Sequence, residues 1–115
     1  MSRHDDQITL RQMLDHIEEA VSFSKDRSRS LLETDRMFFL ALLKDVEIVG
    51  EAANRVSVKT REQLPDIPWG QIIVTRHRLV HGYDSVDYDI LWEIVTADFP
   101  TLAARLSSVL AEMKK

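Results

Sequence analysis

Residues 37–56 read MFFLALLKDVEIVGEAANRV. Within them Phe39, Leu42, Val46, Val49, Ala53 and Val56 recur in alternating steps of three and four, which lays their side chains along one side of an α-helix. The seam lasts barely three heptads, too short to favour a coiled coil and suited to a helix packed among others in a bundle. Thr34 or Asp35 supplies a cap in front of it. Gly50 sits inside the helix, where glycine costs about 1 kcal/mol relative to alanine; a close helix crossing there accounts for it.

The flanking sequence repeats this logic. Upstream, Leu10, Leu14, Ile17 and Val21 share a face, and Arg11, Asp15, Glu18 and Glu19 fall elsewhere, so an amphipathic helix is expected to begin near Asp5 or Asp6, capped by one of them. SFSKDRSRS (22–30) is a polar break. Downstream, VSVKTREQLPDIPWG (56–70) is the longest irregular segment. Pro68 fits the first turn of a third helix, which carries Ile72, Ile73, Leu79 and Val80 and stops near Gly82. DSVDYDILWEIVTADF (84–99) restarts a helix capped by Ser85 or Asp87, with Ile90, Leu91, Ile94 and Val95 inward. Pro100 bends that helix or begins a new one from Asp98, and Leu102, Leu106, Val109 and Leu110 carry the apolar stripe onward. No stretch reads as a strand. The expectation is one all-α domain over residues 1–115, an antiparallel bundle of four or five helices.

The 115 residues are 44% hydrophobic and 30% charged, with a net charge of −4. Stand-alone nucleic-acid binders are usually basic, so the total leans against that class. The distribution leans less: Arg55, Lys59, Arg61, Arg76 and Arg78 face only Glu62 and Asp66 between residues 55 and 81, so a local basic patch is allowed. The absence of cysteine excludes disulfides, thiolate metal sites and a cysteine nucleophile, and is compatible with a cytoplasmic location. The N-terminal MSRHDDQ lacks the apolar core of a signal peptide, and MFFLALL is too short to cross a bilayer, so no membrane association is expected.

The chemistry concentrates in TRHRLVHGY (75–83). On an ideal helix Arg76 and His81 lie about 140° apart, whereas His77 and His81 share a face. Arg76 and His81 converge only if the last turn unwinds at Gly82 or if a second chain completes the site across a two-fold axis. A helix C-terminus favours a protonated ring at His81, and histidine titrates where proton transfer is useful. Arginine can clamp a phosphate through paired N–H bonds. RNA brings its own nucleophile, the 2′-OH. A metal-free ribonuclease then needs a base, an acid and a cation, which two copies of this pair would supply. The bland alternative is a helix-end cation pair.

These residues, with their surroundings, make the chain resemble the HEPN superfamily in its HepT-like branch. That motif is Arg, four to six residues, His and, in this branch, a Tyr two residues on; Arg76, His81 and Tyr83 match it. IVGEAANRV, PDIPW, VDYDILWEIV and DFPTL are similar to family landmarks, so the resemblance covers roughly Asp6 to Leu110. It implies a HEPN-like symmetric homodimer with a metal-independent endoribonuclease site in the dimer cleft. Arg76 and His81 would be catalytic; apart from the resemblance, His77 and Arg78 are candidate RNA-supporting side chains, Arg78 reading as a surface charge or a secondary phosphate contact. The resemblance also implies a toxin role, neutralised by an MNT-type nucleotidyltransferase antitoxin in a dimer or a larger hetero-oligomer, with Tyr83 as the acceptor of AMP. The residue after the motif Arg is often Asn in this branch and is His77 here.

No cofactor and no metal are expected. His77 with His81, and His16 with Glu19, have ligand-like spacing but show no third ligand at fixed spacing. Asp15, Glu18 and Glu19 read as a solvated stripe, and Trp69 and Trp92 as core or dimer interface.

Overall fold

A computed structural model describes residues 3–79 and 85–115. They are all-α: α1 (Arg3–Ser24), α2 (Leu31–Thr34), α3 (Arg36–Arg55), α4 (Val58–Gln63), α5 (Trp69–Ile73), α6 (Thr75–Leu79), α7 (Tyr88–Glu93), a wide π turn (Ile94–Asp98) and α8 (Phe99–Met113). Helices α1, α3 and α8 form the bulk, with α1 packed against both others. All six seam residues of α3 are buried, as are Leu10, Leu14 and Ile17 of α1 and Leu102, Leu106, Val109 and Leu110 of α8. Each such aliphatic side chain contributes roughly 1.5–3 kcal/mol by leaving water.

Asp35 caps α3 by accepting a bond from the Phe38 N–H at 3.1 Å, and Asp87 caps α7 through the Ile90 N–H at 3.0 Å. Of each pair of candidate caps, the aspartate takes the role. Gly50 marks the expected crossing: a Cβ there would stand 3.1 Å from the Ile72 carbonyl oxygen of α5.

Other expectations are corrected. Helix α1 begins at Arg3, and Asp6 does not cap it. Asp6 is 1% exposed and reaches across to the start of α4. It accepts the Ser57 N–H at 2.9 Å, the Ser57 hydroxyl at 2.6 Å and the Thr60 hydroxyl at 2.5 Å. Ser57 in turn caps α4 through the Thr60 N–H. The stretch read as irregular therefore holds a helix whose first turn is anchored by a residue 51 positions away. The polar break also begins later, since α1 runs through Ser24.

The third helix is two. Pro68 precedes α5 rather than sitting in its first turn, and the axis breaks at Val74 (φ −94°, ψ 14°). At Pro100 the helix continues from Tyr88 to Met113, 26 residues, through the π turn. There the Phe99 N–H bonds the Ile94 carbonyl, five residues back. Pro100 has no N–H to offer and its ring crowds the carbonyl four residues back, so a widened turn ahead of it relieves both problems. This helix is long and apolar enough to cross a membrane by composition, but its stripe packs on α1 within the bundle.

Candidate functional site

In sequence, the second half of the motif lies between two anchors, the buried Leu79 and the half-buried Asp87. Leu79, 1% exposed, ends α6, and its carbonyl accepts the Asp87 N–H at 2.7 Å. Asp87 then caps α7. Edge-to-face contact of Phe39 with Tyr88, centroids 5.4 Å apart, holds the start of α7 against α3. On the outer side Arg29 bonds both Asp89 and Glu33, joining α7 to α2.

The aim of α6 is set at the break before it. Thr75 is buried, and its hydroxyl lies 2.7 Å from the Ile72 carbonyl and 2.9 Å from that of Gln71. Its single proton is shared between carbonyls beside the interruption at Val74. Ile72 is also the residue that Gly50 admits. The small residue on α3, the carbonyl of α5 and the hydroxyl of α6 thus meet at one point. The motif did not single out Thr75; the signal for it lay in its place one residue before the motif Arg.

Arg76 lies on α6 next to Thr75. The Arg76 side chain, His81, Gly82 and Tyr83 lie outside the described residues. His77 and Arg78 are described, and they occupy different surroundings. His77 is exposed and lines a recess of about 250 Å³ with Glu47, Gly50, Glu51 and Asn54 of α3. Arg78 is half-buried and lines an apolar cavity of about 390 Å³ with Ile67, Pro68, Ile72, Ile94 and Phe99. At the rim of that cavity Arg105 makes a two-pronged pair with Asp66. Adjacent helical residues point about 100° apart, so α6 separates the two supporting side chains between its flanks.

The outer stripe of α3 runs from one chemistry to another. Met37 (82% exposed) and Leu40 (44% exposed) stand near its start, and Glu47, Glu51 and Asn54 line the His77 recess toward its end. Trp69 is in the core, with its indole N–H donating to the Leu64 carbonyl at 3.0 Å. Trp92 is half-buried, edge-on to Phe38. Asp15, Glu18 and Glu19 are exposed, as the solvated-stripe reading requires.

An all-α domain presenting an Arg on a short buried-anchored helix, with His and Tyr following, defines a class, and the comparisons agree on it. Residues 13–109 match the family model described as ribonuclease HepT-like, and the chain belongs to that family. It is 30% identical over 109 residues to a Methanocaldococcus jannaschii protein named "Putative RNase MJ1380", covering 95% of this chain and all of the relative. It is 29% identical over 110 residues to "Putative RNase TTE0752" of Caldanaerobacter subterraneus, covering 92% and 98% of the two chains. It is 28% identical over 100 residues to "Probable ribonuclease HepT" of Thermococcus cleftensis, covering 84% and 91%. No solved structure matches the chain.

Proposed function

We propose that the protein is a metal-independent endoribonuclease that acts as the toxin of a toxin–antitoxin pair, with its site completed by a second copy of the chain. The observation that carries this reading is the family match over residues 13–109, which spans Arg76, His81 and Tyr83. Arg76 clamps the scissile phosphate and stabilises the charge that builds on it. One His81 takes the proton from the 2′-OH, whose oxygen attacks phosphorus; the P–O5′ bond breaks, and the His81 of the second copy protonates the leaving oxygen. The products are a 2′,3′-cyclic phosphate and a 5′-hydroxyl. The α3 stripe supports pairing, because its exposed Met37 and Leu40 are apolar surface on the same helix face that reaches the His77 recess.

Tyr83 is the regulatory acceptor. Its hydroxyl oxygen attacks the α-phosphate of ATP held by an MNT-type nucleotidyltransferase, a new O–P bond forms, and pyrophosphate leaves. The added nucleotide brings negative charge beside Arg76 and His81, which occupies the phosphate site and repels RNA.

The test is purified protein incubated with total RNA in EDTA, with the ends of the products analysed. Cyclic phosphates and 5′-hydroxyls, lost in His81→Ala while the protein keeps its association state, are expected. Cleavage that needs a divalent ion, or that survives His81→Ala, contradicts the scheme.

A second reading is a non-catalytic helical module that docks the nucleotidyltransferase and serves as its substrate. It is favoured by the His77 recess, where Glu47 and Glu51 present carboxylates that repel a phosphate backbone. Expression alone separates the two. A toxin halts growth and is relieved by its partner through Tyr83, whereas a docking module is harmless.

A further inference from the structure

Away from the motif, α1 and α3 bring together three groups that the cleavage scheme does not use. His16 Nδ1 lies 2.9 Å from Asp45 Oδ1 and 4.0 Å from Glu19 Oε1. One donor atom from each residue falls within 4.8 Å of the others. Asp45 is 2% exposed, on the buried side of α3, and its second oxygen, Oδ2, is buried without a hydrogen-bond partner. A buried carboxylate with an unused oxygen is costly unless something cationic faces it. Burial pushes the Asp45 carboxyl up to about 6; the bond from His16 opposes this and the neighbouring Glu19 adds to it.

We propose that His16, Glu19 and Asp45 form a binding site for a divalent transition-metal ion, zinc being the representative, that clamps α1 to α3. At metal–ligand distances of about 2.1 Å, neighbouring donors stand ~3.0–3.4 Å apart and opposed donors ~4.2 Å apart, so the observed spacings need only small side-chain adjustments. One imidazole and two carboxylates suit zinc and its neighbours better than magnesium or calcium, which take oxygen alone. Glu19 and His16 sit three residues apart on one helix and supply two ligands from one face; Asp45, from 29 residues further on, supplies the cross-link. His16 and Glu19 are half-open to solvent, which gives the ion a way in and leaves room for water ligands. The role is structural, and the inference stands apart from the cleavage reading.

The experiment is zinc titration of the untagged, metal-stripped protein, followed by calorimetry and by thermal unfolding. One zinc per chain is expected, with a saturable rise in melting temperature. Magnesium at the same concentration should leave the melting temperature unmoved. Glu19→Gln and His16→Gln alter exposed or half-exposed groups and keep the fold; each should weaken zinc binding by about tenfold or more. Asp45→Asn should abolish the zinc-dependent rise while melting normally without metal. The proposal is overturned by absence of saturable binding at millimolar zinc, by an equal response to magnesium, or by binding that persists unchanged in Glu19→Gln and His16→Gln. The last result would place the zinc on other histidines.

Discussion

The carbonyl of Leu79 and the amide of Asp87 are joined at 2.7 Å, so the chain leaves α6 and enters α7 at one place. Asp87 does two separable things there, holding Leu79 with its backbone and capping α7 with its side chain. Asp87→Ala removes the cap and is expected to cost about 1 kcal/mol in denaturant titration, with RNA cleavage retained. Asp87→Pro removes the N–H as well. It should cost more and reduce cleavage disproportionately, because His81 and Tyr83 lie between the two joined residues in sequence.

Thr75 holds two carbonyls at the α5–α6 break. Thr75→Val keeps the shape and removes the hydroxyl, so the contacts with the Gln71 and Ile72 carbonyls are lost. A loss of about 1–2 kcal/mol is expected. If Thr75 sets the aim of α6, cleavage measured well below the melting temperature should fall as well. A stability loss with full activity would limit Thr75 to a packing role.

Gly50 is tested by size. Gly50→Ala gains about 1 kcal/mol of helix propensity but places its Cβ 3.1 Å from the Ile72 carbonyl, a backbone atom that must then shift. Its net change in unfolding free energy is expected to stay within about 1 kcal/mol. Gly50→Leu has no such compensation and should destabilise by about 2 kcal/mol or more. A neutral leucine would show that α5 is free to move away from α3.

Asp6 predicts an acid limb in the stability curve. Burial alone would raise its pKa, but the bonds from Ser57 and Thr60 outweigh burial and hold it below its ordinary 3.8. A depressed carboxylate stabilises the fold fully above its unfolded pKa, and that contribution is lost as pH falls through the lower folded value. Asp6→Ala is expected to cost about 3 kcal/mol at neutral pH, since it strands the Ser57 amide. As pH falls below 3.8 the gap between variant and wild type should narrow, as read from urea midpoints across pH.

The His77 recess yields a charge prediction. Replacing Glu47 and Glu51 by glutamine removes two negative charges beside the motif helix. RNA binding at low salt should tighten about fivefold, and the gain should vanish in high salt. A gain that resists salt would mean that these side chains act through shape.

The long helices were legible because their information is local. The α3 seam, the caps Asp35 and Asp87 and the crossing at Gly50 all follow from residues within a turn or two of one another. Asp6 reads in sequence as a cap of α1, which it is not; its role as the anchor of α4 was hidden because its partners lie 51 and 54 residues away. His16 and Glu19 showed ligand-like spacing without a third ligand; Asp45 completes the group from another helix, looking in sequence like one more charge on α3. The break at Val74 was illegible for a different reason. Neither glycine nor proline marks it, and a buried threonine hydroxyl supports it. Of the motif, sequence placed Arg76 on a helix but could not foresee that His77 and Arg78 look into separate cavities.

The wide turn at Ile94–Asp98 also fixes an azimuth. An ordinary helix advances about 100° per residue, and a turn closed five residues back winds more slowly. Over five residues the difference is roughly a quarter of a revolution. Straightening that segment would therefore swing Leu106 and Val109 sideways off α1, so the irregularity works as a rotational shim that lets one continuous rod serve two differently oriented walls.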